Sequence, residues 1–247
     1  MAVPKQGGYD NRSQWEWPPF LRGILIKRYQ RFKADVELDT GQRVTAHCPN
    51  TGSMDGCCEP GRPVYLTRHD NPRRKLKYTW ELIEMPASLV GINTGLPNRL
   101  VRRAIQAGVI PELSGYRRVI PEFTVGGGSR LDLLLENHAQ DRCFVEIKNC
   151  TLVSGKTAFF PDAVTARGRK HLMALQDLIA AGHRGVMFYL VQRMDARRFR
   201  PALHIDPDYT RELQQARAVG LDVLAYDVRI DLQSIALNRS LEVDLSG

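Results

Sequence analysis

Long apolar segments are missing from this sequence. No run of apolar residues approaches the roughly 20 that a membrane-spanning helix needs. The opening stretch, MAVPKQGGYDNRSQWEWPPF, also lacks the apolar core of a secretory signal peptide. The sequence therefore predicts a protein of the cytoplasm that has no membrane partner.

Cysteine is scarce, and its placement does not suit disulfides. There are five cysteines, an odd number that includes the adjacent pair Cys57 and Cys58, and we interpret them as reduced thiols. His47, Cys48, Cys57, Cys58 and His69 could in principle assemble a zinc site, but no CxxC pair supports it. The GxxxxGK[ST] spacing of a phosphate-binding loop is also absent, so VGGGSR at 125–130 is interpreted as a turn.

Positive charge is what the sequence has in excess. The 247 residues are 43% hydrophobic and 25% charged, which is ordinary globular composition with enough length for two domains. The net charge is +8 and the isoelectric point about 9.4, and such an excess attracts polyanions, of which nucleic acid is the commonest. The alternative is a soluble protein that is merely basic.

The pattern of short strands and turns divides the chain. Residues 1–19 are interpreted as a flexible lead-in that ends at two prolines. From 20 to 86, short alternating runs separated by Gly, Pro and Asn predict an OB-like β-barrel. From 87 to 247, helical stripes alternate with apolar strands, which predicts a mixed sheet flanked by helices. The expected fold class is therefore α/β, or α+β over the whole chain.

Acidic residues form the sharpest functional pattern. Asp132 precedes Glu146-Ile147-Lys148 by one hairpin, and a hairpin centred on residue 139 places Asp132 directly opposite Glu146. Glu146 and Lys148 share a face because side chains alternate along a strand. A second hairpin, centred on residue 127, places Glu122 opposite Asp132 in the same way. The alternative is a surface salt bridge between Lys148 and the acids.

Such a cluster is costly unless a cation joins it. Carboxylates this close repel each other, and a divalent ion removes the repulsion while activating water and stabilising charge on a phosphate. We predict that Asp132, Glu146 and Lys148 are catalytic, and that Asp132, Glu146 and Glu122 bind the metal. Hard oxygen ligands favour Mg²⁺ or Mn²⁺ as the cofactor.

Basic residues in three places predict contacts with nucleic acid. The first strand, a loop and the helix after the ExK strand each carry cations, with one aromatic side chain among them that could stack on a base. A solvated surface is the alternative, and for His171 a partly buried structural role is an equal one. The predicted nucleic-acid-binding residues are Lys27, Tyr29, Arg31, Lys33, Arg73, Arg74, Lys75, Arg167, Lys170 and His171.

Seven stretches of the chain are distinctive when taken together: LIKRYQRFKADV, VTAHCPNTGSM, NPRRKLKYTWEL, SRLDLLL, CFVEIKN, FPDAVTARGRKHL and VQRMD. With them the chain resembles the bacterial sugar fermentation stimulation protein A family over nearly all of residues 20–245. The resemblance implies an N-terminal OB-like barrel, a C-terminal domain similar to PD-(D/E)xK nucleases, DNA binding and a link to the control of sugar metabolism genes. It also places Asp132, Glu146 and Lys148 on the nuclease motif.

Two functions fit these features. One is a metal-dependent DNA nuclease, favoured by the intact set of acids and lysine. The other is a DNA-binding transcriptional regulator that keeps the nuclease fold without turnover, favoured by the regulatory phenotype that the family name describes. A carbohydrate-active enzyme has only that name in its favour, because a strongly basic surface gives no reason to expect a neutral sugar.

Overall fold

The computed structural model describes residues 13–137 and 141–246, and their strands form three sheets. The three helices of this part of the chain are α1 (Pro97–Gln106), α2 (Ala166–Ala180) and α3 (Pro207–Ala218). The strands of the N-terminal half are β1 (Trp15–Glu16), β2 (Leu21–Tyr29), β3 (Lys33–Leu38), β4 (Arg43–His47), β5 (Pro63–Arg68), β6 (Tyr78–Met85) and β7 (Ser88–Gly91). Those of the C-terminal half are β8 (Arg118–Thr124), β9 (Arg130–Glu136), β10 (Arg142–Cys150), β11 (Leu152–Ser154), β12 (Thr157–Phe160), β13 (Arg184–Val191), β14 (Arg198–Pro201), β15 (Asp222–Ile230), β16 (Ser234–Ser240) and β17 (Glu242–Val243).

The N-terminal strands close into a barrel, as predicted. Their order is β4-β3-β2-β5-β6-β7, and a parallel pairing of β4 with β6 closes a five-stranded ring. The ring encloses a core in which Trp80, Val36 and Leu66 are fully buried. Val90 and Ile92 also lie in this core, so the barrel continues past residue 86, where the sequence pattern had placed its end.

The basic run at the start of the barrel is a hairpin and not one strand. The chain turns at Gln30 and Arg31, both of which have positive φ, and Tyr29 pairs across the turn with Lys33. The placement of Lys27, Tyr29, Arg31 and Lys33 together on the first strand was therefore wrong for two of them, because Arg31 lies in the turn and Lys33 begins β3. Alternation within one strand could not reveal this turn, because it contains none of the Gly or Pro residues that usually mark one.

The C-terminal half contains the predicted mixed sheet, in the order β1-β16-β15-β13-β10-β9-β8. Its centre is parallel, and β13 is buried along nearly its whole length between β10 and β15, which agrees with its continuous apolar sequence. Trp15 and Glu16 pair with β16 at one edge, so the prediction of a flexible lead-in was wrong for this part. Residues 1–12 of the lead-in lie outside the described residues.

Helices cover the two faces of this sheet and determine what each face buries. The apolar side of α1 packs with Val145 and Ile147 on one face. The apolar side of α2 packs with Phe144 on the other, and α3 lies against α2. None of the helices in the described residues is long and apolar enough to cross a membrane.

Candidate active site

Asp132 and Glu146 lie where β9 and β10 separate. The observed β9–β10 register ends at Leu133 opposite Val145, so one further step brings Asp132 and Glu146 to opposed positions, as predicted. Past this point the Ile147 N–H is bonded to a side chain of β9 and not to its backbone: Asp132 Oδ2 accepts a hydrogen bond from it at 2.7 Å. Its Oδ1 accepts one from Asn98 Nδ2 on α1, also at 2.7 Å.

Glu146 is held by two partners on one of its oxygens. Lys148 Nζ donates to Glu146 Oε1 at 2.6 Å, which agrees with the prediction that these two side chains share a face. His171 on α2 donates from Nδ1 to the same oxygen, and Lys148 Nζ lies 3.3 Å from that nitrogen. The other oxygen, Oε2, is buried and has no hydrogen-bond partner among the described residues. Buried polar atoms are rarely left in this state, so Oε2 is an acceptor that the protein's own donors leave unused.

The position of α2 explains why His171 reaches this carboxylate. Thr165 caps the helix by accepting a hydrogen bond from the Gly168 N–H at 3.0 Å, and Asp206 fixes the cap by accepting one from the Thr165 N–H. Gly168 lets the helix come close to α3, because a Cβ there would lie 3.0 Å from the Tyr209 ring. His171 is one turn further along and is buried.

The two carboxylates differ in their electrostatics. Burial raises the pKa of Asp132 to about 6, and the nearby charge of Glu146 adds to the rise, against the Ile147 hydrogen bond and the Lys148 charge. Burial also acts to raise the pKa of Glu146, but the hydrogen bond from His171 and the charges of Lys148 and His171 outweigh it, so that pKa is lowered. Glu146 thus loses its proton more readily than Asp132 does.

Glu122 does not join this cluster. Its φ of 54° rotates its side chain out of the β8–β9 ladder, although the register on both sides of it is the predicted one. The side chain is 68% exposed and pairs with Arg130 at 3.4 Å. The predicted third metal ligand therefore lies at the surface and pairs with a cation.

The pair of acids is compatible with a hard divalent cation. No group of three or more His, Cys, Asp or Glu side chains in residues 13–137 and 141–246 is spaced to hold a metal. Mg²⁺, however, is usually bound by one or two carboxylates, with water and substrate phosphates completing its shell. Asp132 and the unpartnered Oε2 of Glu146 match this ligand set.

A basic cleft of about 460 Å³ lies beside the carboxylates, and His171 lines both. Arg130, Arg167 and Lys170 are its cations. Arg167 and Lys170 are exposed, and neither has an acidic partner within the described residues. His171, by contrast, is engaged with Glu146, so it forms part of the buried cluster as well as of the cleft wall.

The predicted cations of the barrel lie elsewhere. Lys27 and Tyr29 both contact Asp35, Lys27 through Nζ at 3.7 Å and Tyr29 through its hydroxyl at 3.1 Å. Lys33 Nζ lies 5.9 Å from the centre of the Tyr29 ring. Arg31 lies in the turn between β2 and β3. Arg73, Arg74 and Lys75 lie in the loop between β5 and β6, with Arg74 donating to Thr79 at 2.9 Å.

Two parts of the chain match family models that correspond to the two structural units. The model described as the SfsA N-terminal OB domain matches residues 26–92. The model described as the sugar fermentation stimulation protein RE domain matches residues 95–234. The boundary between the matches follows β7, where the barrel core ends.

Whole-length relatives agree with these matches. A sugar fermentation stimulation protein homolog of Geobacter sulfurreducens is 54% identical over 225 residues, which are 91% of this chain and 96% of that protein. A homolog of Geotalea uraniireducens is 52% identical over 225 residues, covering 91% of this chain and 97% of that protein.

A solved structure shares the same arrangement. The structure of Pyrococcus furiosus SfsA in complex with Ca²⁺ matches with a TM-score of 0.85 and 28% identity, covering 93% of this chain and 98% of that one. The barrel and the mixed sheet are thus joined in that protein as they are here. The chain belongs to the sugar fermentation stimulation protein family.

Proposed function

We propose that this protein binds DNA and hydrolyses its phosphodiester bonds with a divalent cation held by Asp132 and Glu146. The observation that carries the proposal is the buried and unpartnered Oε2 of Glu146, which lies in a cluster with Asp132 and Lys148. A carboxylate oxygen is an expensive group to bury without a partner. The Ca²⁺ complex of the Pyrococcus relative supports a hard divalent ion in this fold.

Each side chain of the cluster has a distinct role in this proposal. A bound Mg²⁺ or Mn²⁺ would supply charge stabilisation for a phosphate oxygen and a more acidic bound water. Lys148 is the group that orients the attacking water or neutralises negative charge on the phosphate. His171 holds Glu146 in place from α2, and Asn98 does the same for Asp132 from α1.

The basic cleft is the proposed seat of the DNA backbone. Arg167 and Lys170 present charges without acidic partners next to the carboxylates, which suits phosphate contacts. The protein's net charge of +8 draws polyanions toward it over a longer range. We therefore propose that the scissile phosphate lies between these cations and the acids.

A second candidate is a DNA-binding transcriptional regulator without turnover. Its support is the pairing of Glu146 with both Lys148 and His171, which already compensates this carboxylate when no metal is bound. In that case the acids form a structural ion-pair cluster, and the basic cleft alone provides the function. The family's name would then describe a regulatory effect.

Cleavage assays separate the two candidates. Purified protein is incubated with single- and double-stranded DNA in Mg²⁺, in Mn²⁺ and in chelator. We expect metal-dependent cleavage that Asp132→Asn abolishes while most of the salt-sensitive DNA affinity remains. Asp227→Asn is the matched control, because Asp227 is a buried carboxylate of the same sheet that pairs with Arg239 away from the cluster. Binding with no cleavage in either metal would favour the regulator.

A further inference from the structure

A second cavity, of about 350 Å³, lies between the barrel and the start of α1. Its walls come from three parts of the chain: the barrel, the segment leading into α1 and the N-terminal Trp15–Pro18 segment. It shares no lining residue with the basic cleft beside the carboxylates. Its size falls in the range of small-ligand sites, roughly 300–1,000 Å³.

A buried carboxylate lines this cavity. Glu81 on β6 is only 7% exposed, and it accepts hydrogen bonds from Thr67 Oγ1 at 2.9 Å and Asn93 Nδ2 at 2.8 Å, one on each oxygen. A carboxylate has about four acceptor positions, so Glu81 retains one on each oxygen. Burial raises its pKa, while those hydrogen bonds and the charges of Arg74 and Arg99 act against the rise.

Cations and indole rings complete the walls. Arg74 is held by Thr79, and Arg99 lies 5.5 Å from the centre of the Trp15 ring. Neither arginine has an ion-pair partner among residues 13–137 and 141–246. Trp17 also lines the cavity and is anchored through its indole nitrogen, which donates to the Asp231 carbonyl at 3.1 Å.

We propose that this cavity binds a guanine nucleotide, with the base edge on Glu81, the ring system against the indoles and the phosphate on Arg74 and Arg99. Guanine is the base whose Watson–Crick edge offers two adjacent N–H donors, and these match the two free acceptor positions of a carboxylate. Adenine and cytosine place an acceptor nitrogen beside their amino group, which the carboxylate repels. Stacking on indoles and guanidinium–phosphate pairing are the usual means of holding an unpaired nucleotide.

The guanine nucleotide could be free or could be an unpaired residue of a strand. Neither source requires that the protein cleave DNA, so the site does not depend on the proposed nuclease function. All binding measurements are therefore made in chelator, where metal-dependent cleavage does not occur.

Intrinsic fluorescence reports on this cavity directly. Of the three tryptophans, Trp15 and Trp17 line it, whereas Trp80 is fully buried in the barrel core. The full-length protein is titrated with the 5′-monophosphates of guanosine, adenosine, cytidine and uridine. A parallel titration compares oligothymidylate with the same oligonucleotide carrying one central dG. We expect at least tenfold tighter binding of the guanine member in one or both series, and the series that shows it identifies the source.

Two variants and a control test the assignment of residues. Glu81→Gln should remove the guanine preference by at least tenfold, because one acceptor oxygen becomes a donor amide. Arg74→Ala should weaken all four nucleotides several-fold and keep the base preference, and it remains informative if Glu81→Gln disturbs the fold. Arg43→Ala, on an exposed barrel arginine that pairs with Glu37 outside the cavity, should change nothing. Equal binding of all bases, absence of binding up to millimolar nucleotide in both series, or an intact guanine preference in a folded Glu81→Gln variant would overturn the proposal.

Discussion

The outer face of the barrel and the basic cleft at α2 both carry cations, but these cations differ in whether they already have partners within the protein. On the barrel, Lys27 and the Tyr29 hydroxyl both contact Asp35, and the two lysines flank the tyrosine ring. In the cleft, Arg167 and Lys170 have no acidic partner in the described part of the chain. A charge that already has an internal partner gains less from a phosphate than a free one, because binding must first break or share that pair.

The two surfaces should therefore differ in their affinity for DNA, although their sequence patterns are alike. Both were predicted to bind nucleic acid from their clustered cations. The structure places one of them next to buried carboxylates and the other on the outside of the barrel, beside its own acid. We expect the basic cleft to contribute most of the electrostatic affinity for DNA.

The largest effect should come from removing the two free cations of the cleft. The double change Arg167→Ala with Lys170→Ala should weaken DNA binding on the order of tenfold or more at low salt. It should also reduce the slope of log affinity against log salt by roughly 2, since each phosphate contact contributes about 0.9. Fluorescence anisotropy over a range of salt concentrations measures both quantities.

The control for this change lies on the same helix. Arg169 pairs with Asp208 at 2.8 Å, so Arg169→Ala should leave the affinity and the salt slope almost unchanged. A loss as large as that of the double variant would mean that net charge alone drives binding. The distinction between engaged and free cations would then fail.

Asp132→Asn should have an effect of intermediate size, on the folding stability of the metal-free protein. The pKa of Asp132 is raised from 3.8 to about 6, so folding favours its protonated form. This contribution to stability is fully present below about pH 4 and is lost as the pH rises through 6. In chelator at pH 8, Asp132→Asn should therefore be more stable than the wild type by roughly 1–3 kcal/mol, at 1.36 kcal/mol for each pKa unit.

Urea denaturation at pH 8 and pH 4 measures this difference. We expect the gain to disappear at the lower pH, where the wild-type carboxyl is protonated as well. Asp195→Asn should instead lose stability at pH 8, because it removes the carboxylate that accepts two hydrogen bonds from the buried Arg193 guanidinium. If Asp132→Asn is less stable than the wild type at pH 8, the hydrogen bonds that Asp132 accepts from Asn98 and Ile147 outweigh the cost of its burial and its repulsion by Glu146.

Much of the site could be predicted from the sequence because it lies in two short hairpins. The positions of the turns fixed the registers, and these placed Asp132 opposite Glu146 with Lys148 on the same face. Glu122 was misplaced because a local φ of 54° in an otherwise regular strand leaves no mark on apolar alternation. Register predicts which residues are opposite each other, but not which way a distorted residue points.

The contacts that hold the two carboxylates in place could not be predicted from the hairpins. Asn98 and His171 reach the carboxylates from helices, across sequence separations of 34 and 25 residues. Helical periodicity predicted which side of each helix is apolar, and His171 was noticed for its neighbours Arg167 and Lys170. Its contact with Glu146 depends on the tertiary packing of α2, which the glycine at 168 and the Thr165 cap determine.

The smallest effect should follow a change on the barrel. Tyr29→Ala should reduce affinity for single-stranded DNA by less than the cleft double variant does. Its ring lies between Lys27 and Lys33, and its hydroxyl is bonded to Asp35. A base stacked on an aromatic side chain contributes about 1–3 kcal/mol, so a loss as large as that of the cleft double variant would break the ranking and make the barrel a true binding surface.

The most direct test of the central claim is calorimetric titration of the metal-free protein with Mn²⁺, with and without DNA. We expect Mn²⁺ to bind to the wild type and to Asp227→Asn but not to Asp132→Asn, because the ion requires both opposed carboxylates. Since Mg²⁺-type ions draw part of their shell from phosphate, binding should be tighter with DNA present. No binding of Mn²⁺ or Mg²⁺ to the wild type under either condition would contradict the metal site and leave the DNA-binding regulator.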